Sequence, residues 1–305
     1  MNKIKNFLSV SDLNEVEIYS IFEKASYFKK NRLNNHIKHI KPLTDKKIGM
    51  IFEKSSTRTR VSFEVGIIEL GGSPLFMSSR DLQLGRGEPI KDTARVLAKY
   101  LDGVVIRTFG QDRIKEFADF FEKPVINGLT DMYHPAQILA DLFTVYEIKK
   151  DIKKLKVVYF GDPNNMLNSW INLQAVMGFK LVLAIPEGFK VNQVVEDNSK
   201  KYGGFFEITH DTIKASKNAD VVTTDVFISM GQENDEIKIN KLRPYIIDES
   251  VISSAKDDVI VLHCLPAHRN EEIAETVFER FSKNIFDEAE NRLHVQKAIM
   301  EKIFV

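Results

Sequence analysis

The stretch Ser56-Thr57-Arg58-Thr59-Arg60 gathers hydroxyl and guanidinium groups where an apolar run, KIGMIF, gives way to a helical pattern. The first turn of a helix has unsatisfied N–H groups and a partial positive charge, and both attract phosphate. Hydroxyl donors and a planar guanidinium add multidentate recognition of an oxyanion. These residue types suit a phosphate site, and they suit an ordinary Ser/Thr helix cap with exposed arginines equally well.

Two further polar groups stand where predicted elements end or begin. Arg107 closes the apolar run GVVIRT, so its charge would point into the crevice above the sheet. His134 and Gln137, in HPAQ, lie one helical turn apart at a predicted helix start, and both can donate to one small ligand. A surface arginine, and a capping histidine beside a solvated glutamine, are the alternative interpretations.

The second half of the chain offers polar groups of a different kind. The segment KVVYFGDPNNMLNS reads as strand, turn and helix, and Asn164 and Asn165 could present amide groups there. It lacks G-x-G-x-x-G, and the chain has no G-x-x-x-x-G-K-[ST], so neither an NAD nor an ATP site is predicted. Asp225 ends the run DVVTTD, where a carboxylate can hold a substrate ammonium or simply cap a helix.

Cys264 is the only cysteine and ends the predicted strand VIVLHC. The pattern His-Cys-x-x-x-His lacks a second cysteine and the usual metal-site spacing, so no metal site is predicted. A buried, inert cysteine is the alternative to a functional one. A single cysteine excludes an internal disulfide and suits a reducing cytoplasm.

The composition is that of a globular protein of 305 residues, with 43% hydrophobic and 28% charged residues, long enough for two domains. The 43 basic and 43 acidic side chains balance to a net charge of zero, which argues against a broad nucleic-acid surface. The first residues, MNKIKNFLSVSDLNE, are not expected to form a signal peptide. No run approaches the ~18 apolar residues of a membrane span.

The order of elements predicts an α/β fold. Helical patterns lie between the apolar runs, such as Thr59 to Leu70, with Val61, Val65 and Ile68 on one face, and Pro135 to Lys149. This alternation is typical of doubly wound parallel sheets with crossover helices, in which ligands bind beyond the carboxyl ends of the strands. We place the domain boundary near residue 150. The expected strands are KIGMIF, PLFM, GVVIRT, PVIN, KVVYF, KLVLAI, FFEIT, DVVTTD and VIVLHC.

Taken together, the polar segments resemble the ornithine carbamoyltransferases of the aspartate/ornithine carbamoyltransferase superfamily. The likeness covers nearly the whole chain, and the motifs follow one another in the family's order and with its separations. The segments that carry it are FEKSSTRTRVSFE, GEPIKDTARVLAKYLDGVVIRT, HPAQILADL, GDPNNMLNS, DVFISMGQE, HCLPAHR and FDEAENRLH.

The resemblance implies two α/β domains joined by two helices, with the active site in the cleft and at the subunit interfaces of a trimer. Residues 1–149 would form the carbamoyl phosphate-binding domain, with the helix of about 290–305 packed back on it, and 150–289 the ornithine-binding domain. The implied activity transfers the carbamoyl group to the δ-amine of L-ornithine, giving L-citrulline and phosphate, in arginine biosynthesis or, in reverse, arginine catabolism. No cofactor, metal, nucleic acid or membrane is implied.

The resemblance also implies roles for individual residues. Arg107, His134 and Cys264 would be catalytic, and Gln83 would reach the site from a neighbouring subunit. Ornithine would be held by Asn165, Asp225, Ser229 and Met230. Carbamoyl phosphate would be bound by Ser56, Thr57, Arg58, Thr59, Gln83, Arg107, His134, Pro135, Ala136, Gln137, Cys264, Leu265 and Arg292.

Other carbamoyltransferases are the main rivals to this interpretation. The aspartate enzymes usually carry a lysine in the loop that here reads Gln83-Leu84-Gly85, and they lack the cysteine of HCLP. Putrescine would not need the Ser229-Met230-Gly231 loop, and N-acetylornithine would leave Asp225 without a cationic partner. A catalytically silent anion-binding protein is the rival from another class. The sequence departs from the family's usual residues at Phe227, Pro89 and Pro163.

Overall fold

The computed structural model describes residues 6–33, 40–78, 82, 87–228 and 235–305. The chain divides into two compact units, which we call unit 1 and unit 2. Unit 1 contains Met1–Leu139 and Asn291–Val305, and unit 2 contains Ala140–Glu290. Unit 1 is therefore built from two separate stretches of the sequence.

Unit 1 contains a parallel sheet of four strands, which pair in the order β2-β1-β3-β4. The chain runs outward from β1 to β2 and then returns to β3, so the strand order reverses between β1 and β3. Phe52, the last residue of β1, pairs with Arg107, the last residue of β3. The strands are β1 (Lys47–Phe52), β2 (Ser73–Ser78), β3 (Gly103–Arg107) and β4 (Val125–Leu129). The first helices are α1 (Glu15–Asn31), α2 (Arg58–Glu69), α3 (Ile90–Leu97), α4 (Gln111–Phe121) and α5 (Pro135–Lys149).

The central strands of unit 1 read as apolar runs because their side chains are buried. Val104 and Ile106 of β3 belong to one core cluster with Ile114, Phe117 and Phe121 of α4. All five residues of β3, including Arg107, are buried. The side chain that ends this strand is therefore a charge held in a largely desolvated place.

Helix α2 exposes the apolar face that the sequence pattern singles out. Val61 and Ile68 are 52% and 56% exposed, whereas Phe63 and Ile67 are fully buried. Gly66 explains this orientation, because a β-carbon there would lie 2.8 Å from the Met300 side chain. The absence of a side chain at residue 66 lets the end of the chain pack against this side of α2.

Unit 2 contains a parallel sheet of five strands in the order β7-β6-β5-β8-β9. The strand order reverses between β5 and β8, where a ligand site is expected. The strands are β5 (Lys156–Phe160), β6 (Lys180–Ala184), β7 (Phe206–Thr209), β8 (Val221–Thr224) and β9 (Ile260–His263). The remaining helices are α6 (Asn165–Met177), α7 (Gln193–Lys201), α8 (Thr212–Ser216), α9 (Glu236–Leu242), α10 (Glu249–Ser254), α11 (Glu275–Arg280) and α12 (Ser282–Phe304).

All nine predicted strands and the parallel α/β architecture are confirmed. The limits of the two units fall inside α5 and α12, and the domain boundary near residue 150 stays a prediction. In the described part of the chain, no helix combines the length and apolar character needed to cross a bilayer.

Candidate functional site

The first group of candidate residues surrounds the turn after β1, at the reversal of strand order in unit 1. Helix α2 begins at Arg58, and Thr57 is its N-cap residue. The Thr57 side chain makes no capping hydrogen bond, and Thr57 is exposed. An ordinary threonine cap is therefore not what the structure contains, and the hydroxyl is available to a ligand.

Arg107 is 8% exposed, and its Nη1 atom donates to Ser56 Oγ at 3.3 Å. Burial, together with the charge of Arg58, lowers the pKa of Arg107 to about 10, while Asp131 acts in the opposite direction. The Nε atoms of both Arg58 and Arg107 are buried and have no hydrogen-bond partner among the residues that the structure describes. Two adjacent guanidinium groups with unused donors form a site for an anion.

Arg292, on α12, brings a third guanidinium group into unit 1. It is buried, and its Nη2 atom donates to Thr59 Oγ1 at 2.5 Å. Thr59 is also buried, so its hydroxyl oxygen already accepts a hydrogen bond from within the protein. The predicted phosphate-binding hydroxyls thus differ, because Thr57 faces solvent while Thr59 contacts Arg292.

His134 is buried immediately before α5. Burial lowers the pKa of His134 well below its ordinary value of 6.5, and the charges of Arg292, Arg107 and Arg58 lower it further. Its imidazole is therefore neutral near pH 7 and offers one N–H donor. We call Ser56, Thr57, Arg58, Arg107, His134 and Arg292 the anion cluster.

The remaining candidates of the first half are distributed as follows. Pro135 and Ala136 are buried in the first turn of α5, and Gln137 is buried one turn after His134, as the pattern predicts. Gln83 lies outside the described residues, and so do Ser229 and Met230 of the second half.

The second group lies in unit 2, at the carboxyl ends of β5, β8 and β9. Asp225 Oδ1 accepts hydrogen bonds from Val226 N at 2.8 Å and from Cys264 Sγ at 3.1 Å. Asp225 Oδ2 accepts one from Asn164 Nδ2 at 2.7 Å. The structure thus brings together Asp225, Cys264 and Asn164, which we call the Asp225 cluster.

Asn164, rather than Asn165, is the residue bonded to Asp225. Its Oδ1 atom caps α6 by accepting from Met166 N at 2.9 Å, and it lies 3.1 Å from the hydroxyl of Tyr159. Asn165 is half-buried in the first turn of α6. The available signal was the position of Asn164 between a strand and a helix, where an asparagine commonly serves as N-cap.

Cys264 is half-buried at the end of β9. Burial raises the pKa of its thiol well above the ordinary value of 9.0, and the charges of Asp225, Glu288 and Asp141 raise it further. The sulfur therefore carries its proton near pH 7 and donates a hydrogen bond to Asp225 Oδ1. The structure describes a thiol that can orient a ligand amine rather than a preformed thiolate base.

Leu265 follows Cys264 with φ 58°, a left-handed conformation that is uncommon for a residue other than glycine. Its N–H donates to His263 Nδ1 at 2.9 Å. The backbone around Cys264 is thus held by the histidine that precedes it.

The two clusters suit two ligand chemistries. The anion cluster combines guanidinium donors with a neutral imidazole, which matches a dianionic phosphate ester that carries a carbonyl group. The Asp225 cluster combines a carboxylate, an amide and a thiol, which matches an ammonium-bearing ligand.

Comparisons with known proteins agree with these chemistries. The carbamoyl-P binding domain of the aspartate/ornithine carbamoyltransferases matches residues 5–147, and the Asp/Orn binding domain matches residues 153–303. An ornithine carbamoyltransferase of Syntrophus aciditrophicus is 50% identical over 299 residues, covering 97% of this chain and 98% of that relative. One of Geobacter metallireducens is 48% identical over 301 residues, covering 98% of this chain and 99% of that relative.

Solved structures give the same answer. The anabolic ornithine carbamoyltransferase of Campylobacter jejuni matches with a TM-score of 0.90 at 44% identity, covering 97% of each chain. The ornithine carbamoyltransferase of Pyrococcus furiosus matches with a TM-score of 0.91 at 43% identity, covering 98% of this chain and 96% of that one. With matches over almost its whole length, the chain belongs to the aspartate/ornithine carbamoyltransferase family.

Proposed function

We propose that this protein is an ornithine carbamoyltransferase. It transfers the carbamoyl group of carbamoyl phosphate to the δ-amine of L-ornithine and forms L-citrulline and phosphate. The observation that carries the proposal is the pair of adjacent guanidinium groups, Arg58 and Arg107, whose buried Nε atoms have no acceptor in the described part of the chain. The names of the relatives support the choice of ornithine.

In this proposal the anion cluster binds carbamoyl phosphate. Thr57 and Arg58 bind the phosphate at the start of α2, together with Ser56, and Thr59 orients Arg292. Arg107 and neutral His134 donate to the carbamoyl oxygen, and Gln137 binds the amide end. Pro135, Ala136 and Leu265 would offer backbone groups to the same end.

The Asp225 cluster binds ornithine. Asp225 accepts from the α-ammonium, and Asn165, Ser229 and Met230 complete the pocket for the amino-acid head. Asn164 fixes the Asp225 carboxylate through the 2.7 Å hydrogen bond. Aspartate would bring a second carboxylate towards Asp225 and is disfavoured on charge, whereas ornithine supplies the missing cation.

The proposed reaction joins the two ligands. The δ-nitrogen lone pair attacks the carbamoyl carbon, the carbon–oxygen bond to phosphate breaks, and negative charge grows on the carbonyl oxygen and the leaving group. Each fixed donor aimed at such charge typically contributes about 3 kcal/mol. The amine gives up a proton, for which the departing phosphate and the Asp225 carboxylate are acceptors. Cys264 orients the amine through its sulfur.

We further propose a homotrimer in which Gln83 of the partner subunit completes each site. The edge strand β2 supports an association surface, because Leu75 and Phe76 are 42% and 36% exposed. Val61 on α2 adds a further exposed apolar side chain. Unprotected apolar edges of this kind usually mark protein–protein contacts.

We assign carbamoyl phosphate binding to residues 1–149, with the helix of about 290–305, and ornithine binding to residues 150–289. The family matches to residues 5–147 and 153–303 support a boundary near residue 150, and the grouping of Asn291–Val305 with Met1–Leu139 in unit 1 supports the place given to the last helix. A cytoplasmic location is proposed because the one cysteine remains a free thiol, which suits a reducing compartment.

The direct test is an assay with carbamoyl phosphate and four amines in parallel: ornithine, aspartate, putrescine and N-acetylornithine. We expect carbamoylation of ornithine, detected as citrulline, at a kcat/KM far above that for the other three. Preference for another amine would reassign the substrate. Tight binding of carbamoyl phosphate without turnover of any amine would identify a silent anion-binding protein instead.

A further inference from the structure

The turn from His263 to Glu272, which follows β9, is closed by a buried carboxylate. Glu272 is fully buried, and its Oε1 atom lies 2.9 Å from His263 Nε2. The same oxygen accepts the backbone N–H of His268 at 2.6 Å. One carboxylate oxygen therefore joins the two ends of the turn that contains Cys264.

The hydrogen bonds around His263 determine which ring nitrogen carries its proton. A backbone N–H can only donate, so His263 Nδ1, 2.9 Å from Leu265 N, must be an acceptor. The ring proton therefore lies on Nε2 and is donated to Glu272 Oε1. Glu272 thus selects the tautomer that can hold the Leu265 backbone.

The restrained segment is the one that carries the thiol. Leu265 is held at φ 58°, and the Cys264 sulfur before it lies 3.1 Å from Asp225 Oδ1. A second buried carboxylate, that of Glu288, accepts a hydrogen bond from the backbone N–H of His263 at 2.9 Å. Freeing the His263 ring would leave Leu265 without its acceptor and allow Cys264 to move.

We propose that Glu272 is a positioning residue for carbamoyl transfer, acting through His263 to fix Cys264 and the Leu265 backbone. It touches no substrate, and the proposal rests on the function proposed above. The expected effect lies in kcat, because the anion cluster of unit 1 supplies the charged contacts to carbamoyl phosphate and the Leu265 backbone would add only one neutral contact. A displacement of about 1 Å at a reacting group can cost on the order of 100-fold in rate.

Glu272 has a competing interpretation as a ligand of a cation. Its second oxygen, Oε2, lies 3.9 Å from His268 Nδ1, and the ligand atoms of His268, Glu271 and Glu272 all lie within 4.8 Å of one another. His268 and Glu271 are exposed, and in the described part of the chain neither side chain forms a hydrogen bond or ion pair with His263. Glu271→Gln therefore separates the two interpretations, because it removes a cation ligand and spares the histidine.

The test uses four full-length variants: Glu272→Gln, Glu272→Asp, Glu272→Ala and Glu271→Gln. Glutamine keeps an acceptor oxygen at the same reach, aspartate withdraws it by one methylene, and alanine removes it. We expect kcat to fall by less than about threefold in Glu272→Gln, by about tenfold in Glu272→Asp and by about 100-fold in Glu272→Ala. The KM for carbamoyl phosphate should stay within about twofold of the parent value in all three. Glu271→Gln should match the parent protein.

Alkylation of Cys264 gives a readout that does not depend on carbamoyl transfer. Cys264 is the only thiol, so at a fixed pH the rate of iodoacetamide labelling reports the surroundings of this one side chain. We expect faster labelling in the aspartate and alanine variants and the parent rate in Glu272→Gln and Glu271→Gln. A parent protein that makes no citrulline would overturn the proposed function and leave this readout intact.

Three outcomes would overturn the inference. One is a folded Glu272→Asp or Glu272→Ala variant with the parent kcat and labelling rate. Another is a lower melting temperature with kcat unchanged, which would make Glu272 purely structural. A fall in kcat for Glu271→Gln, matched by EDTA treatment of the parent protein, would assign Glu272 to a cation site. Should alanine prevent folding, the glutamine and aspartate pair still decides.

Discussion

Burial lowers the pKa of two residues in the anion cluster, Arg107 and His134, with opposite consequences for their charge. It lowers the pKa of Arg107 to about 10, which leaves a full charge near pH 7, and it lowers the pKa of His134 well below 6.5, which leaves a neutral ring. The cluster therefore combines fixed cations with one uncharged donor. Neither of these groups changes its charge appreciably between about pH 7 and pH 8.

Arg58 supplies the most direct test of the anion cluster. We expect Arg58→Gln to weaken carbamoyl phosphate binding by about 2 kcal/mol, roughly thirty-fold in Kd, because hydrogen bonds to charged groups contribute that much. Titration calorimetry measures the affinity. Arg95→Gln is the matched control, because Arg95 is exposed and pairs with Asp92 one turn away. Equal affinities in the two variants would contradict the assignment.

The pH dependence of the reaction should follow the substrate amine. An alkyl ammonium has a pKa of about 10, so the reactive neutral form, and with it kcat/KM for ornithine, should rise from pH 6 to about 8.5. At the acid end of this range, His134 adds an effect on the stability of the folded protein. Its pKa is lower in the folded protein, so the folded state resists protonation and loses stability as pH falls below 6.5. A kcat/KM for ornithine that stays constant from pH 6 to about 8.5 would refute control of the rate by the substrate amine.

Cys264 should react as a suppressed thiol. Its raised pKa predicts iodoacetamide labelling that is still accelerating at pH 9, because the thiolate is the reactive form. Asp225→Asn removes a negative charge that raises this pKa and should increase the rate at pH 8 by about tenfold, the effect of one pKa unit. Glu207→Gln, at an exposed pair with Lys180, is the control. A plateau below pH 8 would show a preformed thiolate.

At the scale of elements, the parallel strands were predictable and the packed face of α2 was not. Buried strands are nearly continuous apolar runs, so each of the nine is visible in the sequence. Helix α2 buries Thr59 because Arg292, 233 residues further along the chain, donates to it. No local periodicity contains that information, and the pattern therefore pointed to Val61 and Ile68, which are exposed.

Helix α6 links a structural cap to the Asp225 cluster, and two substitutions separate these roles. Asn164→Ala should cost about 1 kcal/mol of unfolding free energy, the usual value of an N-cap. It should also raise the KM for ornithine by about tenfold, because the hydrogen bond to Asp225 is lost. Asn164→Ser keeps a capping oxygen, so it should regain the stability that Asn164→Ala loses, while its KM for ornithine should remain as high as that of Asn164→Ala.

Chemical denaturation and steady-state kinetics measure the two effects. Asn192→Ala removes the N-cap of α7, at 3.0 Å from Val194 N, and should lower stability without changing KM. Recovery of the parent KM in Asn164→Ser would show that Asn164 acts only as a cap.

At the scale of the whole molecule, the sequence indicates which residues are candidates for the site. It is less informative about which of their atoms are in contact. Arg58, Arg107 and His134 could be found because each stands at an element boundary with an unusual charge or donor. The choice between Asn164 and Asn165 depends on where α6 begins, and one residue changes the answer. Glu272 carries no local signal at all, because its role is visible only through its contact with His263.

The proposed trimer can be tested by mixing two defective subunits. If each site combines Arg58 of one subunit with Gln83 of the next, then Arg58→Gln and Gln83→Ala are each impaired in all of their sites. In co-expressed random trimers, about a quarter of the sites would receive both native residues, so about a quarter of the parent activity should return. Citrulline assays on the purified mixture, with its mass measured by light scattering, would detect this.

The control mixture combines Arg58→Gln with Arg107→Gln. These two side chains belong to the anion cluster of the same subunit, so no arrangement of the subunits can place both native residues in one site. We therefore expect no recovery from this pair under the same conditions. Recovery of activity in both mixtures would show that it does not depend on sites shared between subunits. A trimer without recovery in the first mixture would confine each site to one chain and remove Gln83 from it.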